Sequence, residues 1–353
     1  MEDSQYVVNA GRDIKHEIDG KTGLKIGEMQ EISLTQDVIP TVLIEDRKCT
    51  VHEWALKNKN QVEQILRTQG ALLIRNLNIP SSKQFAKILT TLFDADLLEY
   101  IYRSTPRTEL RDNIYTATEY HREQLIQQHN ENSYSNVWPT RIGFWCMLPS
   151  DTGGETPIAD SRNVYSLLPR EIREEFEMKG VMYVRNYSNI DLPWQEVFQS
   201  NDPKEVERYC MENRLKFEWR GDDHLRTVQV NAATQIHPFS AEPIWFNQAH
   251  LFHERSLADD VREGLRLSLD SEDLPRNAFY GDGTKIDDEI IDVIIRSYER
   301  CKLTFSLEKG DLLLLDNMLF SHGRNPYVGD RKVLVGMARP SVAATHSTFA
   351  TAA

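Results

Sequence analysis

The sequence predicts a mainly β fold with flanking helices (α+β), a double-sheet jelly roll carrying a helical insertion. Three observations predict it. Many short strand-like runs are separated by Gly or Pro, as at 141–148 before Pro149 and at Gly153-Gly154; this punctuation marks sandwiches and barrels. A helix, a strand and a second helix come first, at 50–67, 70–75 and 81–93. A charged, helix-patterned stretch at 163–215 then interrupts the strands.

In chain order, residues 1–38 are polar and read as an N-terminal leader, packed on the domain or partly mobile, with strand-like pieces at 6–8 and 24–26. One domain follows over 39–340. Val51, Trp54, Ala55, Val62, Ile65 and Leu66 recur at helical spacing. Gly70 to Arg75 reads as a buried strand, and Ser81 or Ser82 caps the next helix. Strands are expected at 113–120 and 141–148, with a turn at Gly153-Gly154 and another strand at 156–160. Within the insertion, 167–178 and 202–212 are helical, the second opened by Asp202-Pro203 as cap and first residue. Residues 225–231 and 243–246 read as strands. A helix over 285–301 shows Ile286, Ile290, Val293, Ile294 and Tyr298 on one face, with Thr284 and Asp287 as a capping box. Strands at 303–307, 311–315 and 332–337 complete the domain, and 341–353, rich in Ala, Thr and Ser, reads as a disordered tail.

Composition narrows function. The net charge is −13 over 353 residues, with a pI near 5.3. An acidic surface argues against nucleic acid, whose phosphates need basic groups. The four cysteines, at 49, 146, 210 and 301, form no Cys-x-x-Cys pair and suit reduced thiols. No secretory signal or apolar run of membrane-spanning length is present, so a cytoplasmic protein is expected.

The chemistry gathers at His129-Asn130-Glu131 and, far downstream, His322. In an extended segment, side chains two apart share a face, so His129 and Glu131 can reach one point. His322 follows the apolar run 312–315, which reads as a buried strand. Two His and one carboxylate form the ligand face of non-haem Fe(II) oxygenases. Each residue, taken singly, also reads as an ordinary core or surface group. His250 and His253 have only Glu254 near them as a further ligand, and His121, His224, His237 and His346 read as structural.

Further words surround the triad: Ser104-Thr105-Pro106-Arg107, Gly154-Glu155-Thr156-Pro157-Ile158-Ala159-Asp160-Ser161-Arg162, Trp245-Phe246-Asn247 and His322-Gly323-Arg324-Asn325-Pro326. Together they resemble the Fe(II)/2-oxoglutarate dioxygenases of the taurine dioxygenase (TauD/TfdA) family, in the branch typified by the aspartyl hydroxylase of syringomycin biosynthesis. The likeness runs from about residue 40 to 340. It implies a double-stranded β-helix, the jelly roll of the cupin type. It implies Fe(II) on His129, Glu131 and His322, with 2-oxoglutarate and O2 as co-substrates. The distal carboxylate of 2-oxoglutarate would meet Arg331, and the Thr156 hydroxyl would donate a second bond. Lys332 is the rival cation, but strand alternation lets only one of the two point inward. Related halogenases carry a small residue where Glu131 stands, so the carboxylate implies oxygenation. Taurine dioxygenase has a second Arg four residues past the first. Here that position is Val335, which disfavours a sulfonate substrate.

The branch implies an amino-acid substrate, free or tethered to a carrier protein, in specialised metabolite biosynthesis. Arg103, Arg107, Asn132, Trp245, Asn247 and Arg339 are the candidate substrate contacts. Hydroxylation is the expected outcome. Desaturation or ring closure by the same cofactors is the first alternative, and a non-catalytic cupin-fold binding protein the second.

Overall fold

The computed structural model describes residues 39–44, 49–187, 190–221 and 224–343. The leader pieces and all but the first residues of the tail lie outside them.

Two sheets build the jelly roll. The larger has seven strands, in the order Thr41–Leu43, Ala71–Arg75, Leu312–Asp316, Val137–Leu148, Lys332–Val342, Ile114–Thr116, Glu109–Arg111. The smaller has four, in the order Lys302–Leu303, Ile158–Asp160, Phe320–Arg324, Ile126–His129. Alternation along the strands sends one set of side chains inward. Ile142, Phe144, Val335 and Met337 of the larger sheet thus share a core with Ile158 and Phe320 of the smaller. In the larger sheet Leu312–Asp316 and Lys332–Val342 pair on either side of Val137–Leu148, which is how a jelly roll brings residues distant in the chain together.

The helices Val51–Gln69 and Ser82–Phe93 form as expected. Thr50 and Glu53 make a reciprocal capping box, and Ser81 caps the second helix. The second helix lies close on the large sheet because two glycines face each other there. Gly143 and Gly336 are cross-strand partners, and a Cβ on either would come within 2.5 Å of a Leu89 methyl.

A third sheet lies outside the jelly roll. Its order is Lys216–Trp219, Leu225–Asn231, Val181–Tyr187, Arg276–Tyr280, all antiparallel. The stretch 163–215 is therefore not wholly helical. It holds the helices Ser161–Leu167, Arg170–Lys179, Trp194–Phe198 and Pro203–Glu212, but also the strand Val181–Tyr187. That strand follows Gly180 and is rich in Val and Tyr, the composition of a strand buried on its sheet. Its pairing partners come from 225–231 and 276–280, beyond the expected insertion. Three local expectations also change. The helix at 167–178 breaks at Leu168-Pro169. The strand at 303–307 shrinks to Lys302–Leu303. The Thr284–Asp287 box does not form, because Thr284 bonds Asp282 instead and Asp287 caps without a side-chain bond.

The glycine pair gives a test. Gly336→Val must push Leu89 or Ile114 aside, and overpacking of this kind costs about 1–3 kcal/mol. The urea midpoint should fall accordingly, and an unchanged midpoint would show that the helix does not pack this closely.

Candidate metal and co-substrate site

His129 ends the strand Ile126–His129, and His322 sits inside Phe320–Arg324. The two strands are antiparallel, with His129 and His322 as direct cross-strand partners. Their rings therefore lie side by side, centroids 4.5 Å apart. Register on a sheet alone makes this pair.

Glu131 arrives differently. The extended backbone ends at His129, and Glu131 opens a turn that Asn132 makes with a φ of +56°. Asn317 fixes that turn. Its side-chain oxygen accepts from the Glu131 amide at 2.7 Å, and its Nδ2 donates to the Glu131 carbonyl at 2.9 Å and to Pro139 at 2.8 Å. The Asn130 side chain returns a bond to the Asn317 carbonyl at 2.7 Å. One ligand atom each from His129, Glu131 and His322 then lies within 4.8 Å of the others, and all three residues are buried.

The carboxylate is held at both oxygens. Arg107 Nη2 donates to Oε2 at 2.6 Å, and the Tyr100 hydroxyl donates to Oε1 at 2.9 Å. Burial by itself would raise the pKa of Glu131, but the charge of Arg107 and the adjacent His129 and His322 together outweigh it and hold the group ionised, well below the usual range. The same environment pushes the Tyr100 phenol up to about 12, through burial first and then the Glu131 charge. Burial drives His129 down to about 3, so its imidazole is neutral at physiological pH.

These residues fit a divalent ion. The Nδ1 of His129 is engaged with the Gln127 carbonyl at 2.9 Å, which leaves Nε2 as its donor. The Nε2 of His322 stands 3.7 Å from Glu131 Oε2. That is too far for a hydrogen bond, yet close to the ~3 Å between two ligands that each sit ~2.1 Å from one ion. The donor set is two imidazole nitrogens and one anionic carboxylate oxygen, and both imidazoles line a cavity.

The cavity beside it is lined by His129, His322, Thr156, Arg107, Arg324 and Arg331, with Phe144, Ile126 and Val333 among its apolar walls. Phe144 lies over His322 at 5.0 Å. Arg331 turns inward and Lys332 is exposed. The Arg331 guanidinium donates to the Gly154 carbonyl at 2.9 Å and to Thr156 Oγ1 at 3.1 Å. The hydroxyl accepts here, so its own proton is free for a ligand. Burial, then Arg324, lowers Arg331 to about 10, an arginine short of negative charge. Gly154 must be glycine: its φ is +71°, and a Cβ would meet Ser150 Oγ at 2.5 Å and Arg331 Cδ at 3.0 Å.

Of the six candidate substrate contacts, only Arg107 lines this cavity. Arg103 donates to the Tyr100 and Arg107 carbonyls and faces a separate cleft. Asn132 shapes the Glu131 turn. Trp245 is fully buried against Phe176. Asn247 bonds the Ala233 carbonyl and the Ala249 amide. Arg339 binds Glu63 and the Phe93 carbonyl, in a network with Arg141 and Asp316. None of these five lines the cavity: Arg103, Asn247 and Arg339 spend polar atoms on the fold, whereas Asn132 Oδ1 and Trp245 Nε1 are buried without a partner. His250 supports the ligand strand through the Gln128 carbonyl at 2.8 Å, and Gln248 does so through Asn130 at 2.8 Å. Among the described residues, His129, Glu131 and His322 are the group able to hold an ion, and His250, His253 and Glu254 do not form a second. Sequence reasoning missed Tyr100, Asn317, Arg324 and Phe144. Nothing local marks the first two, whereas Arg324 and Phe144 sit in words already singled out.

Residues 40–338 match the family model described as "Taurine catabolism dioxygenase TauD, TfdA family". The chain is 42% identical over 280 residues to the dapdiamide synthesis protein DdaC of Enterobacter agglomerans, covering 79% of this chain and 85% of that protein. It is 27% identical over 292 residues to the clavaminate synthase-like protein At3g21360 of Arabidopsis thaliana, covering 80% and 85%. In fold it is similar to an asparagine oxygenase solved with Fe(II), 3-hydroxyasparagine and succinate, with a TM-score of 0.50, 12% identity, and 82% and 81% of the two chains covered.

Replacing any one of His129, Glu131 and His322 by Ala should weaken Mn(II) binding by at least ~10²-fold, since each removes one of three protein ligands. A titration by calorimetry reads this, with circular dichroism confirming the fold. Wild-type affinity in any variant would remove that residue from the site.

Proposed function

The chain belongs to the taurine catabolism dioxygenase TauD, TfdA family, and from that premise we propose that it oxidises an amino-acid substrate in specialised metabolite biosynthesis. It is a dioxygenase, and Fe(II), 2-oxoglutarate and O2 are its cofactor and co-substrates. The observation that carries the reading is one cavity lined by His129, His322, Glu131's partner Arg107 and the Arg331–Thr156 pair. A protein that only bound ligands would not need the buried carboxylate between two imidazoles, since that arrangement is costly without an ion.

His129, Glu131 and His322 hold the iron. Iron held there would supply activation of O2 coupled to the oxidative decarboxylation of 2-oxoglutarate to succinate and carbon dioxide. The chain's own residues do the positioning. Arg331 receives the distal carboxylate of 2-oxoglutarate, and the Thr156 hydroxyl donates beside it. Phe144, Ile126 and Val333 wall the cavity with apolar surface and exclude water. Tyr100 and Arg107 keep Glu131 ionised and oriented.

The substrate class rests on the likeness to the dapdiamide synthesis protein and on the surplus of guanidinium groups in the cavity. The substrate is a free amino acid or one presented by a carrier protein, attacked at an unactivated C–H bond. Hydroxylation adds an oxygen atom, whereas desaturation or ring closure removes two hydrogens, and mass spectrometry of the product separates them. No described helix is long and apolar enough to cross a membrane. The four cysteines are free, which suits the cytoplasm.

Arg331→Ala should raise the 2-oxoglutarate requirement by ~10² or more, because an unpaired buried carboxylate costs ~3–5 kcal/mol, and the exposed Lys332→Ala should change little. Equal effects would remove Arg331 from the co-substrate. For the substrate, succinate released above the uncoupled background is measured with taurine, nucleosides and amino acids, free and carrier-loaded. Stimulation by taurine or a nucleoside alone would contradict the amino-acid reading.

A further inference from the structure

Arg107 differs from Arg324 in the same cavity because two of its three donor nitrogens, rather than one, are buried without a partner. Arg324 spends Nη1 and Nη2 on the carbonyls of Thr118, Tyr120, His121 and Gln124, and only its Nε is left without a partner. Arg331 has Gly154 and Thr156. Arg107 gives Nη2 to Glu131, while its Nε and Nη1 are buried with no partner. Its side chain is 3% exposed, and it lines the same cavity as His129 and His322. A buried donor left unmade costs ~1–3 kcal/mol. Two such donors on one side chain, in a cavity, mark a place where a ligand supplies the acceptor.

Charge says what kind of acceptor. The cavity walls bring the three guanidinium groups of Arg107, Arg324 and Arg331, against the single carboxylate of Glu131 that Arg107 touches. A divalent ion adds two more positive charges, and a dicarboxylate co-substrate removes two. The remaining surplus is positive, in surroundings where charge is poorly screened. Arg103, the neighbouring cation, is committed to backbone carbonyls and cannot take the role.

We infer that Arg107 bridges Glu131 and a carboxylate of the substrate. One N–H orients the metal ligand, and the free donors receive an anionic oxygen of the incoming amino acid. The inference rests on the oxygenase reading above and deepens it. Because one guanidinium serves both groups, substrate binding changes the hydrogen bonding of Glu131, and the metal site registers that substrate has arrived. Arg107 is thus a positioning residue for the ligand and the anchor that selects an acid over its neutral analogue.

The test uses the full-length protein, anaerobic with Fe(II) and 2-oxoglutarate, and reads the visible charge-transfer band. Each protein is titrated with a pool of the common α-amino acids, and separately with the same pool as carboxamides. In the wild type the acid pool should shift the band at ~10-fold or more lower concentration than the amide pool. Arg107→Gln, whose amide can still donate to Glu131 once bound iron itself holds that carboxylate ionised, should keep a weakened band but lose that preference, and Arg107→Lys, which keeps the charge, should recover part of it. Absence of the band in the wild type would be failure of the oxygenase reading itself. With the band present, three results overturn the inference: an equal response to both pools or to neither in the wild type, a preference that survives Arg107→Gln, or loss of the band in Arg107→Gln, which would leave Arg107 with the metal ligand alone.

Discussion

The site depends on one amide side chain. Asn317 bonds both the N–H and the C=O of Glu131, 186 residues away in the chain, and also the Pro139 carbonyl. It sits between the strands Leu312–Asp316 and Phe320–Arg324, where the chain passes from the large sheet to the small one. The same residue therefore ends one strand, aims the next toward His129, and holds the turn that presents Glu131. A hydrogen-bonded amide with all its atoms engaged is rigid in a way a packed apolar residue is not. The sheet register makes the His pair, and Asn317 adds the carboxylate to it.

A second constraint follows from burial. Three ligands in an apolar jelly roll can stay deprotonated only if their surroundings keep them so. His129 is kept neutral by burial. Glu131 is kept ionised by Arg107 and the adjacent His129 and His322 in spite of burial. The two shifts leave the His129 imidazole neutral and the Glu131 carboxylate anionic, the states in which each can bind a divalent ion. Arg331 lines the same cavity with its guanidinium on neutral acceptors, which is why it is proposed for the distal end of a dicarboxylate. The third sheet serves this arrangement from outside. The Tyr183 hydroxyl accepts from the Gln248 amide, Gln248 holds Asn130, and Arg185 holds the Arg103 carbonyl, in the segment that leads to Arg107.

Much of this was legible in the sequence, for physical reasons that differ between residues. His129, Glu131 and His322 carry their chemistry in their identity, so their convergence was readable without knowing the path. The path itself was not. Extended geometry was expected to carry Glu131, and a turn carries it instead, because the decisive partner, Asn317, is distant in sequence. The strand holding His322 was hidden behind the Leu312–Asp316 run, since two short buried strands joined by a tight turn look like one apolar stretch. Alternation let only one of Arg331 and Lys332 point inward, and the planar guanidinium favoured Arg331. Arg103, Asn132, Trp245, Asn247 and Arg339 could not be told from site residues, because buried polar groups need partners whether or not a ligand is near. The strand Val181–Tyr187 was missed inside a stretch dominated by charged helices, and its partners are supplied by segments beyond it.

The central claim is that His129, Glu131 and His322, with Arg331 opposite, form a working oxygenase centre. The most direct measurement is release of labelled carbon dioxide from 2-oxoglutarate labelled at its first carbon, with Fe(II) and air, in the presence of the amino-acid panel. The account predicts release that requires Fe(II) and O2, matches succinate mole for mole, and disappears in Glu131→Ala. Wild-type protein that binds Fe(II) yet releases no labelled carbon dioxide with any member of the panel would contradict it.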